Sequence, residues 1–124
     1  CPRPANPAPC ARWFVVATHH CGTGVRRRPA DSMAYAMTKA ALNHMTVLLA
    51  KSYGPVRFNA VAPGLVQTPW TEDWGAMHDF VSKASPLKRS AYASDCSEAV
   101  LGILRNPHMT GQVLVIDGGF TLVS

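Results

Sequence analysis

Three short apolar runs, Trp13–Ala17, Val56–Ala62 and Val113–Ile116, are held apart by long stretches whose apolar residues recur at helical spacing. That alternation limits the fold more than any other feature. Strands joined through a helix pair in parallel, because a tight hairpin connects only antiparallel neighbours. Parallel sheets are covered by helices, so their strands read as continuous β-branched apolar runs. Trp13-Phe-Val-Val-Ala17 and Val113-Leu-Val-Ile116 have that character. The pattern predicts an α/β chain built on a partial doubly wound parallel sheet. At 124 residues the chain makes one domain at most, able to bury about two-thirds of its unfolded surface.

Between the first two runs, Asp31–Lys51 reads as one long helix. Asp31 or Ser32 serves as its N-cap. Gly54-Pro55 ends it with a residue tolerant of positive φ and one unable to continue a helix. Ala34, Met37, Ala41, Leu42, Met45, Leu48 and Leu49 form an apolar stripe wider than one sheet face needs. On the same helix, Tyr35 and Lys39 lie four residues apart, one turn along one face. A phenol titrates near ~10 in water, and a cation within roughly 4–6 Å favours the phenolate and lowers that value. Tyr35 is thereby a candidate general acid or base at a carbonyl or alcohol carbon. The alternative is an ordinary helix with a half-buried tyrosine and an exposed lysine.

Residues 1–12 (CPRPANPAPCAR) hold four prolines and no periodicity, which predicts an extended arm ahead of a 13–124 domain. Thr18-His-His-Cys-Gly-Thr-Gly24 follows the first strand at its carboxyl end, where open α/β sheets place their sites. Thr18 offers a hydroxyl donor there, His19 and His20 imidazole donors, or both histidines face solvent. Gly22-Thr-Gly24 runs into Val25-Arg-Arg-Arg-Pro29 rather than a helix, so it makes no phosphate cradle. Pro63-Gly64 breaks the second strand and lets its backbone approach a ligand. Trp70, Trp74, Met77, Phe80 and Val81 make an aromatic-rich stripe on a short helix. Ser94 is read as the cap of a further helix with Ala99, Val100, Ile103 and Leu104 inward, ended at Asn106-Pro107.

Composition excludes more than it assigns. The net charge of +5 concentrates at Arg26–Arg28, read as a solvated loop; nucleic-acid binding would rest on charge alone, without a matching fold signature. No apolar run nears the roughly 18 residues of a membrane span, and no secretory signal pattern opens the chain. A cytoplasmic protein is expected. Cys1, Cys10, Cys21 and Cys96 lack metal-ligand spacing and are read as reduced thiols.

Three motifs occur in order: Tyr35-Ala-Met-Thr-Lys39, Asn59-Ala-Val-Ala-Pro-Gly-Leu-Val-Gln-Thr-Pro69, and Asp117-Gly-Gly119 closing the last strand. Together they resemble the short-chain dehydrogenase/reductase family from about Trp13 to the C-terminus. The resemblance implies the C-terminal half of a Rossmann-like fold and an NAD(P)-dependent oxidoreductase interconverting a carbonyl and an alcohol of a small molecule. It makes Tyr35 the proton donor or acceptor, with Lys39 lowering its pKa and holding the nicotinamide ribose. By strand register Thr18 or His19 falls near the place of the family's serine, which bonds the substrate oxygen, while counting back from Tyr35 lands near Gly22, and Thr18 would supply the hydroxyl. Pro63 and Gly64 would lie against the nicotinamide, with the Val66 backbone on its carboxamide and Thr68 on the carboxamide or pyrophosphate.

The resemblance also makes the segment 70–87 a flap over the substrate. Trp70 and Trp74 would then suit an apolar substrate, the alternative being plain packing. The 31–51 helix would pack on its twin in a homo-oligomer. The glycine-rich half and the catalytic asparagine of the family have no counterpart here, and no residue can be assigned to the ribose 2′ position, which leaves NAD and NADP equal. The chain alone is therefore expected to bind the cofactor poorly, and its proline-rich arm, where the family has a helix, leaves open whether it is a truncated or spliced product. The competing expectation is a non-catalytic fragment serving at most as a subunit-association module.

Overall fold

The structure, a computed structural model, describes residues 13–17 and 33–123. The proline-rich arm, Thr18 to Gly24, Arg26–Arg28 and the N-cap candidates Asp31 and Ser32 lie outside the described residues.

Strand β1 (Trp13–Ala17) leads through helix α1 (Met33–Ser52) to β2 (Arg57–Pro63). After β2 come β3 (Val66–Gln67), a 3₁₀ turn (Pro69–Thr71), α2 (Gly75–Ala84), β4 (Ala91–Tyr92), α3 (Ala93–Arg105), β5 (Val113–Ile116) and α4 (Phe120–Val123). The main sheet has the order β1-β2-β5. Both pairings are parallel, with Trp13 opposite Arg57 and Ala60 opposite Val113. The expected fold class is the observed one. A second parallel pair, β3 with β4, was not expected, because two-residue strands carry no period to read.

β2 is the central strand of the described sheet, with Ala60, Val61 and Ala62 in the core. Two polar residues are buried along it and tie it to the α3–β5 connection. Asn59 donates from Nδ2 to the Met109 carbonyl (3.0 Å) and accepts from the Gln112 N–H (3.1 Å). Arg57 is only 8% exposed. Its Nη1 donates to the carbonyls of Ile103 (3.1 Å), Asn106 (3.0 Å) and Met109 (3.0 Å), and its Nη2 to Leu104 (3.3 Å). Carbonyls at a helix C-terminus lack intrahelical partners and carry its partial negative charge, so a guanidinium there satisfies both needs.

α1 buries only part of its wide apolar stripe. Thr46 is its buried residue, its hydroxyl bonded back to the Leu42 carbonyl (3.1 Å), while Met37, Met45 and Leu48 are exposed. The wide stripe is split: one edge meets the sheet and the other faces outward. Nor does Gly54 use a positive φ; the chain leaves the helix through a Val56 N–H to Tyr53 carbonyl bond and a cis Gly54-Pro55 peptide.

The cap of α3 is also reassigned. Ser94 lies inside the first turn, and the Asp95 carboxylate reaches back to the Tyr92 N–H (2.7 Å). Arg89 pairs with the same carboxylate twice (2.6 and 3.0 Å). The Arg89 guanidinium, then the Tyr92 N–H, hold the Asp95 carboxyl down at about 2, against an ordinary 3.8. A carboxyl depressed on folding contributes stability that is fully present above its unfolded value and lost as pH falls through its folded one. Carboxyl-carbon NMR should therefore find Asp95 titrating near pH 2, and Arg89→Gln should move the midpoint up toward the ordinary value. An unchanged midpoint would assign the depression to the backbone contact instead.

Candidate active site

A helix that follows a parallel strand starts from that strand's carboxyl end and runs back along the sheet. The first turns of α1, with Tyr35 and Lys39, are therefore at the carboxyl edge of the β1-β2-β5 sheet. Both residues are half-buried. The Lys39 Nζ stands over the Tyr35 ring, 5.2 Å from its centroid. That lies within the reach at which a cation interacts with an aromatic face.

Pro63 and Gly64 end β2 at the same edge. The Gly64 N–H bonds to the Ile116 carbonyl (2.9 Å), extending the β2–β5 contact by one residue. A glycine is required here by a neighbour in the chain. A Cβ on it would stand 2.8 Å from the Asp117 Cβ and 3.0 Å from its Cα. Asp117 has little freedom to move away, because its carboxylate takes the N–H groups of Gly119 and Thr121 (2.9 Å each). Gly118 and Gly119 follow with φ of +65° and +80°. Gly64→Ala should consequently lower stability by about 1–3 kcal/mol, as overpacking does, measured by urea unfolding. A change below a few tenths would mean that Asp117 yields freely.

Val66 lies in β3, and its carbonyl accepts from the Thr71 hydroxyl (2.7 Å). The Thr68 N–H and hydroxyl both lie on the Thr71 Oγ (3.1 and 3.3 Å). Since the single Thr71 hydroxyl proton points to Val66, Thr68 is the donor in the hydroxyl pair and keeps lone pairs to accept. Thr18, the remaining sequence-proposed site residue, lies outside the described residues. A cavity of about 110 Å³, lined by Leu87, Arg89, Ala91, Asp95, Ile116 and Gly118, contains none of the proposed site residues. It is smaller than the roughly 300–1,000 Å³ of ordinary ligand pockets.

The aromatic stripe is not a core. Trp70 is 71% exposed and Trp74 43%, with ring centroids 5.1 Å apart and planes tilted by 51°. Met77 and Phe80 are also exposed, and only Val81 of the stripe is buried. Helical spacing failed because a 3₁₀ turn and then a break precede α2, so the two tryptophans are not on its face. Sequence reasoning also missed the buried Thr71 and Ser90 of this segment and the half-buried His78 between them. His78, placed one helical turn after Trp74, was the available signal. Among the described residues, no three His, Cys, Asp or Glu side chains come together as a metal would require, and no helix is long and apolar enough to cross a membrane.

Residues 15–121 match the family model described as enoyl-(acyl carrier protein) reductase. The chain belongs to the short-chain dehydrogenase/reductase family. Among its relatives in that family, a granaticin polyketide synthase protein of Streptomyces violaceoruber, named as a ketoacyl reductase, is 45% identical over 101 residues, covering 77% of this chain and 41% of that protein. The human 3-oxoacyl-[acyl-carrier-protein] reductase is 37% identical over 91 residues, covering 72% and 38%. A small-chain dehydrogenase solved in complex with NADPH superposes with a TM-score of 0.77 at 31% identity, over 89% of this chain and 51% of that one. A 3-oxoacyl-[acyl-carrier protein] reductase of Brucella melitensis with bound NAD gives 0.71 at 28%, over 88% and 42%. The short-chain dehydrogenase/reductase chain described here thus spans about two-fifths of the length of these curated relatives.

Proposed function

We propose that the protein interconverts a carbonyl and an alcohol on a small molecule, with NAD or NADP, and that Tyr35 and Lys39 are its acid/base pair. The observation that carries this reading is the Lys39 ammonium 5.2 Å from the Tyr35 ring centroid at the carboxyl edge of the sheet. In reduction, Tyr35 gives its phenolic proton to the carbonyl oxygen; in oxidation, the phenolate takes it back. Lys39 favours the phenolate in both directions because its charge opposes the one that forms.

The chain's donors and acceptors suit the nicotinamide end of the cofactor. Lys39 would hold ribose hydroxyls. The Val66 backbone would meet the carboxamide beside Pro63 and Gly64, and the Thr68 oxygen would accept from its NH₂ group. Bound there, the nicotinamide supplies or accepts the hydride. Thr18 is proposed as the hydroxyl donor that orients the substrate oxygen. The exposed Trp70 and Trp74 favour a substrate with an apolar body. The names of the relatives make 3-oxoacyl thioesters the first compounds to assay.

The test is oxidation of NADH or NADPH by the 124-residue protein given a 3-oxobutanoyl thioester, with the 3-hydroxy product identified by mass. Product with either nucleotide supports the reading. No product at nucleotide concentrations shown to saturate the protein, across several carbonyl compounds, would sink it.

The exposed Met37, Met45 and Leu48 of α1 favour a second reading, in which this face associates with another copy of the chain. Association alone predicts a concentration-dependent mass in sedimentation that Tyr35→Phe leaves unchanged, together with no turnover in either form.

A further inference from the structure

We propose that His78 is a positioning residue: by bridging the Thr71 carbonyl and the Ser90 hydroxyl, it fixes the turn that presents Trp70 and Trp74. The contacts form a closed ring. The Thr71 hydroxyl donates to the Val66 carbonyl (2.7 Å), and His78 Nε2 meets the Thr71 carbonyl (3.2 Å). His78 Nδ1 meets the Ser90 Oγ (2.8 Å), and the next residue, Ala91, donates its N–H to the Leu65 carbonyl (2.9 Å). The ring therefore starts and ends on the Leu65–Val66 step, where β3 pairs with β4.

A carbonyl has only lone pairs, so the proton of the neutral imidazole is on Nε2, and Nδ1 accepts from the serine hydroxyl. The Thr71 carbonyl also receives the Trp74 N–H (3.0 Å), and the Trp74 carbonyl receives the His78 N–H (3.0 Å). The backbone on both sides of the second tryptophan is thus tied to the same histidine.

The burial pattern explains why a polar brace is used. A core aromatic is located by what it packs against, but the two indoles are 71% and 43% exposed. The groups that hold their backbone are the shielded ones, with Thr71 4% and Ser90 1% exposed. Breaking the bond to a buried group such as the Ser90 hydroxyl leaves that group unsatisfied, which makes the brace directional. The side chain at position 78 consequently determines where the indole pair is held.

That the indoles receive a substrate rests on the reduction reading; the brace itself does not, and it is tested without substrate or cofactor. Hydrogen exchange of the 124-residue protein is read by mass spectrometry over residues 71–78, and in β2 and α3 as internal references. With His78→Phe, exchange over 71–78 is expected to rise at least tenfold while β2 and α3 keep their rates. Acrylamide quenching of the indole emission should rise alongside it.

His78→Gln keeps a donor of similar reach for the Thr71 carbonyl and should restore most of the protection. Ser90→Ala removes only one arm and should give a smaller rise over the same residues. It also decides the matter should His78→Phe fail to fold. Unchanged exchange over 71–78, an equal rise in β2 and α3, or no rescue by glutamine would each overturn the proposal. An inactive Tyr35 variant with this segment intact would leave it standing.

Discussion

Tyr35→Phe is expected to lower carbonyl reduction by at least about a thousandfold, near the upper part of the range that a positioned acid or base contributes. The substitution removes one oxygen and keeps the ring under Lys39, so the cation–aromatic contact at 5.2 Å survives. What is lost is the only proton the side chain can give. Far-UV circular dichroism and the urea midpoint should stay close to those of the parent, because Tyr35 is half-buried at the surface end of α1 rather than in the core. KM should change far less than kcat. Activity within tenfold of the parent would move the acid to another residue.

Arg57→Met is expected to cost about 3 kcal/mol of stability. Four main-chain carbonyls, at Ile103, Leu104, Asn106 and Met109, accept from this one guanidinium. A buried acceptor left without a donor costs about 1–3 kcal/mol, partly relieved here because water reaches the end of α3. Methionine fills much of the volume and isolates the loss of the donors. Arg57→Lys should recover only part, since one ammonium cannot address carbonyls spread across the planar fork. Urea unfolding monitored by circular dichroism reads both. A loss below about 1 kcal/mol would mean that solvent replaces the guanidinium readily.

The features written in long periods were the legible ones. α1, β2 and β5 appear where their apolar patterns placed them, and the parallel order follows from the lengths of chain between them. Tyr35 and Lys39 meet because four residues make one helical turn. Features that depend on distant chain were not legible. Nothing local says that Arg57 will lie under the end of a helix nearly fifty residues on, although a charge opening a buried strand signals that some partner must exist. That Gly64 lies against Asp117, from a loop more than fifty residues away, could not be read from the Pro63-Gly64 break. Ser94 does not cap α3 because the helix begins two residues earlier than the serine suggested, placing the Asp95 carboxylate where it reaches back to the Tyr92 N–H. The tryptophans were assigned helical spacing across a segment that changes its geometry between Trp70, in the 3₁₀ turn, and Trp74, which immediately precedes α2.

The most direct test of the acid/base pair is the titration of Tyr35 itself, followed by NMR with ring-labelled tyrosine in the parent and in Lys39→Met. The account predicts a phenol that ionises below the ordinary value of about 10 in the parent, and a midpoint that moves up when the ammonium is removed. The same midpoint in both proteins would contradict it, because Lys39 would then exert no influence on the group it is proposed to activate.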